Sequence, residues 1–308
     1  MPNVWTHILF GEKTLERIQY RLPSDDVLPF FRLGCQGPDL FFYHNFWPWA
    51  KDLGVSAIGE NIHRNHCGPF LIDMIRGGFR NANDFYVQAY ILGFLTHHLL
   101  DRNTHPYIIY RSGMDDHKHE KLEIIIDTLL MDETYGIKTW HIPVYQKINI
   151  GKSLYGPIEQ LLKSLIRRYF PDDAAKLPET FAAESYRNMI QALKVLHDPI
   201  GWKNKWLKKF VHPYSYRPIT EQKDYLNRKR RIWYHPADPN EKHSESFDDM
   251  LDHAYAEAER ILEAVLDYWK NGLDEASEGL SNELGNYAYD TGKDCRDTVT
   301  CKYFDPMI

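Results

Sequence analysis

Apolar residues return at three- and four-residue steps through most of this chain and almost nowhere alternate. From Phe85 to Leu100 the stripe is Val87, Tyr90, Ile91, Phe94, Leu95 and Leu99, behind Asn83 or Asp84 as N-cap. This predicts a helix with His97 and Asp101 at its C-terminal end. A second helix is predicted from about Asp116 to Met131; Leu122, Ile125, Ile126, Leu129 and Leu130 form its buried stripe, and it displays His119 and Glu123. Further helices are expected at 13–20, 67–78, 154–169, 179–197 and 247–270, the last opened by the capping-type run Ser246-Phe-Asp-Asp249. No hairpin signal or useful alternating run is present, so the expected fold class is all-α.

The connections carry their own signals. Gly37-Pro38-Asp39 reads as a turn that presents a carboxylate, and it leads into the aromatic run from Phe41 to Trp49. Large aromatics serve equally as a core plug or as the wall of a pocket. Between Asp198 and Pro239 the chain becomes rich in Trp, Tyr, Pro and basic residues, including Lys203, Lys205, Lys208, Lys209 and Arg228-Lys-Arg-Arg231. Such runs are read first as solvated faces, with contact to an anionic head group or partner as the alternative. The expected organisation is a single domain over 1–308, with a metal-bearing half at about 1–150 and a C-terminal helical half at about 151–308.

Composition narrows the setting. A chain of 308 residues, 43% hydrophobic and 26% charged, buries a substantial core. A net charge of −6 and a pI near 6.2 argue against a generic nucleic-acid binder, because no global positive field gathers phosphates. The first residues show no basic region followed by an apolar core, and no eighteen apolar residues run together, so a cytoplasmic protein without a transmembrane segment is expected. Cys35, Cys67, Cys295 and Cys301 form no regular framework and suit reduced thiols; pairing or metal binding by Cys295 and Cys301 is the less favoured reading.

The candidate chemistry lies early. Nine of the fifteen histidines precede residue 120. With acidic residues they give the order His7, Asp39, His63, His97/Asp101, His105 and His119/Glu123. Both pairs are spaced i, i+4, which sets imidazole and carboxylate one turn apart on one helix face, where they can grip one ion. Singly, each residue has an ordinary explanation as a surface histidine, a weak helix contact or a turn carboxylate. Their joint order has none.

That order, with Gly37-Pro38-Asp39 and the stretch Leu92-Gly-Phe-Leu-Thr-His-His-Leu-Leu-Asp-Arg-Asn-Thr-His-Pro-Tyr107, resembles the zinc-dependent phospholipase C family, a relative of the single-strand-specific zinc nucleases. The likeness is densest over about residues 1–131, and Asp224-Tyr-Leu-Asn227 with Trp233-Tyr-His-Pro236 looks like the family's less specific C-terminal portion. The resemblance implies a multi-helix bundle around a polynuclear zinc centre. Carried over, Asp39, His63 and His97 would hold one zinc, Asp101 would bridge it to a second at His7, and His105, His119 and Glu123 would hold a third. Asp39 is left as either ligand or proton acceptor. His66, His98 and His117 fall outside the pattern.

Two departures stand out. Secreted members complete the site beside His7 with an N-terminal Trp, whereas this chain begins Met1-Pro2 and its Trp5 is internal. Either the amine of Pro2, exposed by removal of Met1, substitutes, or the centre holds two zincs instead of three. The gap from Asp101 to His105 is also short, and Pro106 is expected to end the helix and turn His105 inward.

The resemblance implies phosphoester hydrolysis by metal-activated water attacking phosphorus in line. A phospholipase C-like phosphoester hydrolase acting on a small phosphoester or phospholipid is therefore expected. A zinc nuclease, less favoured by the acidic pI, and a non-catalytic metalloprotein or scaffold are the alternatives.

Overall fold

The computed structural model describes residues 4–47, 49–51, 53–200, 215–272 and 274–308. Met1 and Pro2, Pro48 of the aromatic run, and Lys203, Lys205, Lys208 and Lys209 lie outside these residues. Among the described residues the fold is helical, as the periodicity predicts, with one small hairpin. In order come α1 (Val4–Arg17), α2 (Leu28–Gly34), a 3-10 helix (Gly37–Tyr43), α3 (Val55–Arg64), α4 (Cys67–Arg80), α5 (Phe85–Ser112) and α6 (Asp116–Tyr135). A 3-10 turn (Val144–Lys147), α7 (Gly156–Tyr169), α8 (Pro171–Ala174) and α9 (Phe181–Leu196) follow, then β1 (Trp233–His235), β2 (Asp238–His243), α10 (Phe247–Asn271), α11 (Asp274–Leu284) and a last 3-10 turn (Cys295–Asp297).

Helix α5 is the spine. Its N-cap is Asp84, not Asn83: the carboxylate accepts from the N–H groups of Tyr86 and Val87, both at 3.1 Å. From Ala89 to Ser112 every residue except Asn103 is buried, so α5 is enclosed on all sides by α1, α2, α4, α6, α10 and β1. Two glycines make the closest of these approaches. A Cβ on Gly34 would fall 2.1 Å from the Tyr90 carbonyl oxygen, and one on Gly93 would fall 2.1 Å from that of Phe31. Backbone therefore meets backbone between α2 and α5.

Contrary to expectation, Pro106 does not end α5, which runs on to Ser112. A proline inside a helix removes one hydrogen bond and costs about 3 kcal/mol or more. Each fully buried Phe or Leu on this helix returns about 1.5–3 kcal/mol, and Phe94, Leu95 and Leu99 are all fully buried. Packing outweighs the local penalty. The far end of α5 is finished by the C-terminal tail, where Asp305 N–H and Met307 N–H donate to the carbonyls of Tyr110 and Arg111, both at 2.9 Å. These carbonyls lie in the last turn, where helical partners run out.

Helix α1 begins and ends earlier than the expected 13–20. Its first turns bury Val4, Trp5, Ile8 and Leu9, and packing of these residues against α5, α6 and α10 makes the segment before residue 13 helical. The hairpin is a further difference from the sequence expectation: β1 and β2 pair antiparallel, with Trp233 opposite His243. Strands of three and six residues are too short to show alternation, and β1 is held by Trp233, which packs edge-on against Tyr107 at 5.5 Å.

The aromatic run divides between its two expected uses. Phe41 and Tyr43 enter the core, Phe42 and Phe46 are half-buried, and Trp49 is exposed. Two members of the exposed basic run 228–231 are in ion pairs: Arg228 spans Glu133 and Asp248, and Arg230 meets Asp249 at 2.8 Å. Asp248 and Asp249 stand in the first turn of α10, where Ser246 and Asp249 form the anticipated capping box. Those hydrogen bonds, from the Ser246 hydroxyl and backbone N–H and from Arg230, hold the Asp249 carboxyl down at about 2. Ser246→Ala is expected to destabilise the protein by about 1 kcal/mol in denaturant unfolding. An unchanged midpoint would show that the box contributes nothing.

Candidate metal centre

Two helices carry the same polar ladder. On α5, His97, Asp101 and His105 follow one another at four-residue steps, and on α6 His119, Glu123 and Asp127 do the same. Each ladder lines one helix face. His7 comes from the first turns of α1, Asp39 from the 3-10 helix, and His63 from the last turn of α3. Five elements thus deliver every residue of the sequence-derived set to one place.

The distances are short. Asp101 is central: its Oδ1 lies 3.3 Å from His7 Nε2 and 3.6 Å from His105 Nε2, while its Oδ2 lies 3.0 Å from His97 Nε2 and 4.0 Å from His63 Nε2. Asp39 Oδ1 approaches His63 Nε2 at 3.2 Å and His97 Nε2 at 3.9 Å. Glu123 Oε1 approaches His119 Nε2 at 2.9 Å and His105 Nε2 at 3.3 Å. Three groups offer ligand atoms within 4.8 Å of one another: His7/Asp39/His97, His63/His97/Asp101 and His105/His119/Glu123.

Hydrogen bonding decides what these nitrogens present. His97 Nδ1 lies 3.0 Å from the Cys35 carbonyl and His63 Nδ1 lies 2.7 Å from the Gly59 carbonyl. A carbonyl only accepts, so Nδ1 carries the proton and, in the neutral ring, Nε2 points a lone pair at a carboxylate. Lone pair against anion is repulsive unless a cation or a proton stands between them. Asp39 Oδ1, His97 Nε2, Asp101 Oδ2 and His105 Nε2 are buried and make no hydrogen bond among the described residues. This donor set of imidazole nitrogen and carboxylate oxygen is the one Zn²⁺ takes, and the residues fit it.

Without an ion, protons answer the same field. Burial pulls the His105 imidazole down, but Asp101 and Glu123 overcome it and lift the group to about 9. His97 rises likewise: burial opposes, and Asp101 and Asp39 prevail. Against the burial penalty, His105, His97 and His7 hold Asp101 well below the usual carboxylate range. His7 is lowered, first by burial and then by the neighbouring His97, whose ring stacks on it at 4.2 Å.

The positioning is local and specific. Gly37 has a φ of +51°, and a Cβ there would fall 2.3 Å from the His97 ring, so glycine meets two demands at once. The three residues outside the pattern stay outside it. His98 is buried and bonds the Tyr287 carbonyl at 2.8 Å, and burial pushes it down to about 3; His66 and His117 are exposed.

Three residues at the centre escape the sequence reading. Asp127 accepts from Trp5 N–H at 3.0 Å, Thr6 N–H at 2.9 Å, the Thr6 hydroxyl and the Tyr216 hydroxyl at 2.7 Å, and so anchors the start of α1 and with it His7. Extending the α6 ladder by one step finds it. Tyr289 lays its buried ring 4.8 Å from His63 and 4.4 Å from His98, and its N–H donates to the His63 carbonyl. Asp290 holds Arg64 at 2.7 Å. Nothing local in the sequence marks these last two, because they arrive from more than 200 positions away.

The cluster faces an open cleft of about 670 Å³, lined by Asp39, His63, His105 and His119 and walled by Phe42, Phe46, Ile109 and Met114. Glu60, Glu120, Arg64 and Asp290 supply its charged side. A second, small void of about 20 Å³ is lined by His7, Asp101, His105 and Glu123 among others. A buried floor of imidazoles and carboxylates under a mixed apolar and polar cleft is the kind of concave site that takes a small molecule.

Among known families, the one described as zinc dependent phospholipase C matches residues 6–173, more than half of the chain and the whole span from His7 to Glu123. No curated protein and no solved structure matches.

Elemental mass spectrometry of the purified protein is expected to find two or three zincs per chain, with fewer in both His97→Ala and Glu123→Ala and an unchanged content in His98→Ala. Equal loss in His98→Ala would show that general loosening, not ligand loss, sets the result. Asp127→Ala leaves two buried N–H groups without an acceptor and is expected to cost about 2–3 kcal/mol in unfolding experiments.

Proposed function

Because the chain belongs to the zinc-dependent phospholipase C family, we propose that the convergent cluster is a polynuclear zinc centre that hydrolyses a phosphate ester. The observation that carries this reading is the set of lone-pair nitrogens aimed at buried carboxylates beneath an open cleft. In this reading Asp39, His63 and His97 would hold one ion. Asp101 would bridge it to a second at His7, and His105, His119 and Glu123 would hold a third. The two separate approaches of Asp101, Oδ1 to His7 and Oδ2 to His97, support the bridging role. The 3.2 Å approach of Asp39 to His63 supports a ligand role over that of a free base.

When bound, zinc supplies Lewis acidity toward phosphate oxygens and acidifies water. The chain's own residues do the remainder. The carbonyls of Cys35 and Gly59 fix the ring orientations of His97 and His63, so Nε2 of each is the atom turned toward the carboxylates and neither ring has to rotate to meet an ion. Asp127 keeps His7 in register through the first turn of α1. The mixed wall of the cleft favours an ester with both an apolar and a charged portion: Phe42 and Phe46 would meet the apolar part, and Arg64, oriented by Asp290, would meet a phosphate oxygen. A phospholipid or related phosphodiester has both portions. Among the described residues no helix is long and apolar enough to cross a membrane.

The test is hydrolysis by the zinc-loaded protein of short-chain phosphatidylcholine, a soluble aryl phosphodiester and single-stranded DNA, each with and without chelator. Chelator-sensitive release of a phosphorylated head group is expected. His97→Ala should lower the rate by more than about 100-fold, beyond the cost of losing an outer partner. Cleavage of DNA alone would replace this reading with a nuclease, and stoichiometric zinc with no hydrolysis of any substrate would leave a metalloprotein without catalysis.

A further inference from the structure

Cys67 opens α4, four residues after His63 in the last turn of α3, and Cys295 opens the final 3-10 turn. The chain separates them by 228 positions, yet their sulfurs lie 3.4 Å apart. Cys67 is buried and donates to the Ile62 carbonyl at 3.2 Å; Cys295 is half-buried. Cys301, the partner weighed for Cys295 in the less favoured reading of the sequence, is not the residue its sulfur meets.

The surroundings hold the two sulfurs together. Gly68 N–H donates to Asn286 Oδ1 at 3.1 Å, Cys295 N–H donates to the Asn286 carbonyl at 2.8 Å, and Tyr289 N–H donates to the His63 carbonyl at 2.8 Å. A Cβ on Gly68 would fall 1.9 Å from the Gly285 carbonyl oxygen, so the loop 285–295 lies directly on the start of α4. Closing a disulfide requires the sulfurs to approach to about 2.05 Å, a movement of about 1.4 Å that one half-buried turn can supply.

The geometry points to Cys67 and Cys295 as an oxidisable dithiol that closes by exchange with a low-molecular-weight disulfide, stapling the loop 285–295 to helix α4. The Cys295 thiolate attacks one sulfur of the reagent, forming a mixed disulfide and expelling one thiolate. Cys67 then loses its proton and attacks Cys295 Sγ, expelling the second. Two protein S–H bonds are replaced by one S–S bond, and the reagent's S–S bond by two S–H bonds. The order follows from access and acidity: contact with Cys67 lowers the Cys295 thiol, whereas burial raises that of Cys67. Because the stapled loop carries Tyr289 and Asp290, closure locks the backing of His63 and the partner of Arg64.

The full-length protein is treated with glutathione disulfide, alkylated, digested without reductant and mapped by mass spectrometry. A single cross-linked peptide pair holding Cys67 and Cys295 is expected, absent in Cys295→Ser and retained in Cys301→Ser. Thermal unfolding should shift upward on oxidation and return with dithiothreitol, a shift that Cys295→Ser does not show. A glutathione adduct on Cys295 that never resolves onto Cys67, a cross-link to Cys301 instead, or a cross-link without any thermal shift would overturn the proposal. None of these readouts depends on zinc or on hydrolysis.

Discussion

A carboxylate withdrawn from water must be met by positive charge or by donors, and Asp101 is withdrawn almost completely while facing four imidazole nitrogens. The cost is tolerable only because the cluster can take up compensating charge, either as protons on His97 and His105 or as cations among the side chains. The remaining architecture follows from keeping this unstable grouping in place. Backbone carbonyls hold two rings, a glycine with positive φ admits one of them, and Asp127 ties down the helix that brings the last.

Rigidity comes from burial of α5 on every side. The backbone contact with α2 at Gly34 and Gly93 leaves no side chain there to change rotamer, and the C-terminal tail closes the last turn. This also explains the tolerance of Pro106. Proline breaks or kinks a helix that nothing supports, whereas this one, enclosed by its neighbours, continues through that position to Ser112 and carries His105 one turn beyond Asp101.

What the sequence made legible is what repeats at short range. The apolar steps marked α4 to α7, α9 and α10, the run Ser246-Phe-Asp-Asp249 marked a cap, and the i, i+4 pairs marked the helix faces that meet at the centre. Where tertiary contact overrides local preference, the reading fell short. The start of α1 depends on Asp127, 121 positions away from Thr6, and the path through Pro106 depends on enclosure. The hairpin is too brief to show a period, and Tyr289, Asp290 and the meeting of Cys67 with Cys295 belong to a loop returning from the far end of the chain.

The ladder of His97, Asp101 and His105 has an evolutionary corollary. Each step along α5 is about 6 Å of rise, and each added or deleted residue turns everything beyond it by about 100°. A single insertion between His97 and His105 would leave one end of the ladder facing the core, with no loop nearby to absorb the error. Descendants of this chain can lengthen the connection between α5 and α6 or trim the segment before α10, and can exchange the residues of α5 that stand off the ladder. Between positions 97 and 105 they can change letters but not their number.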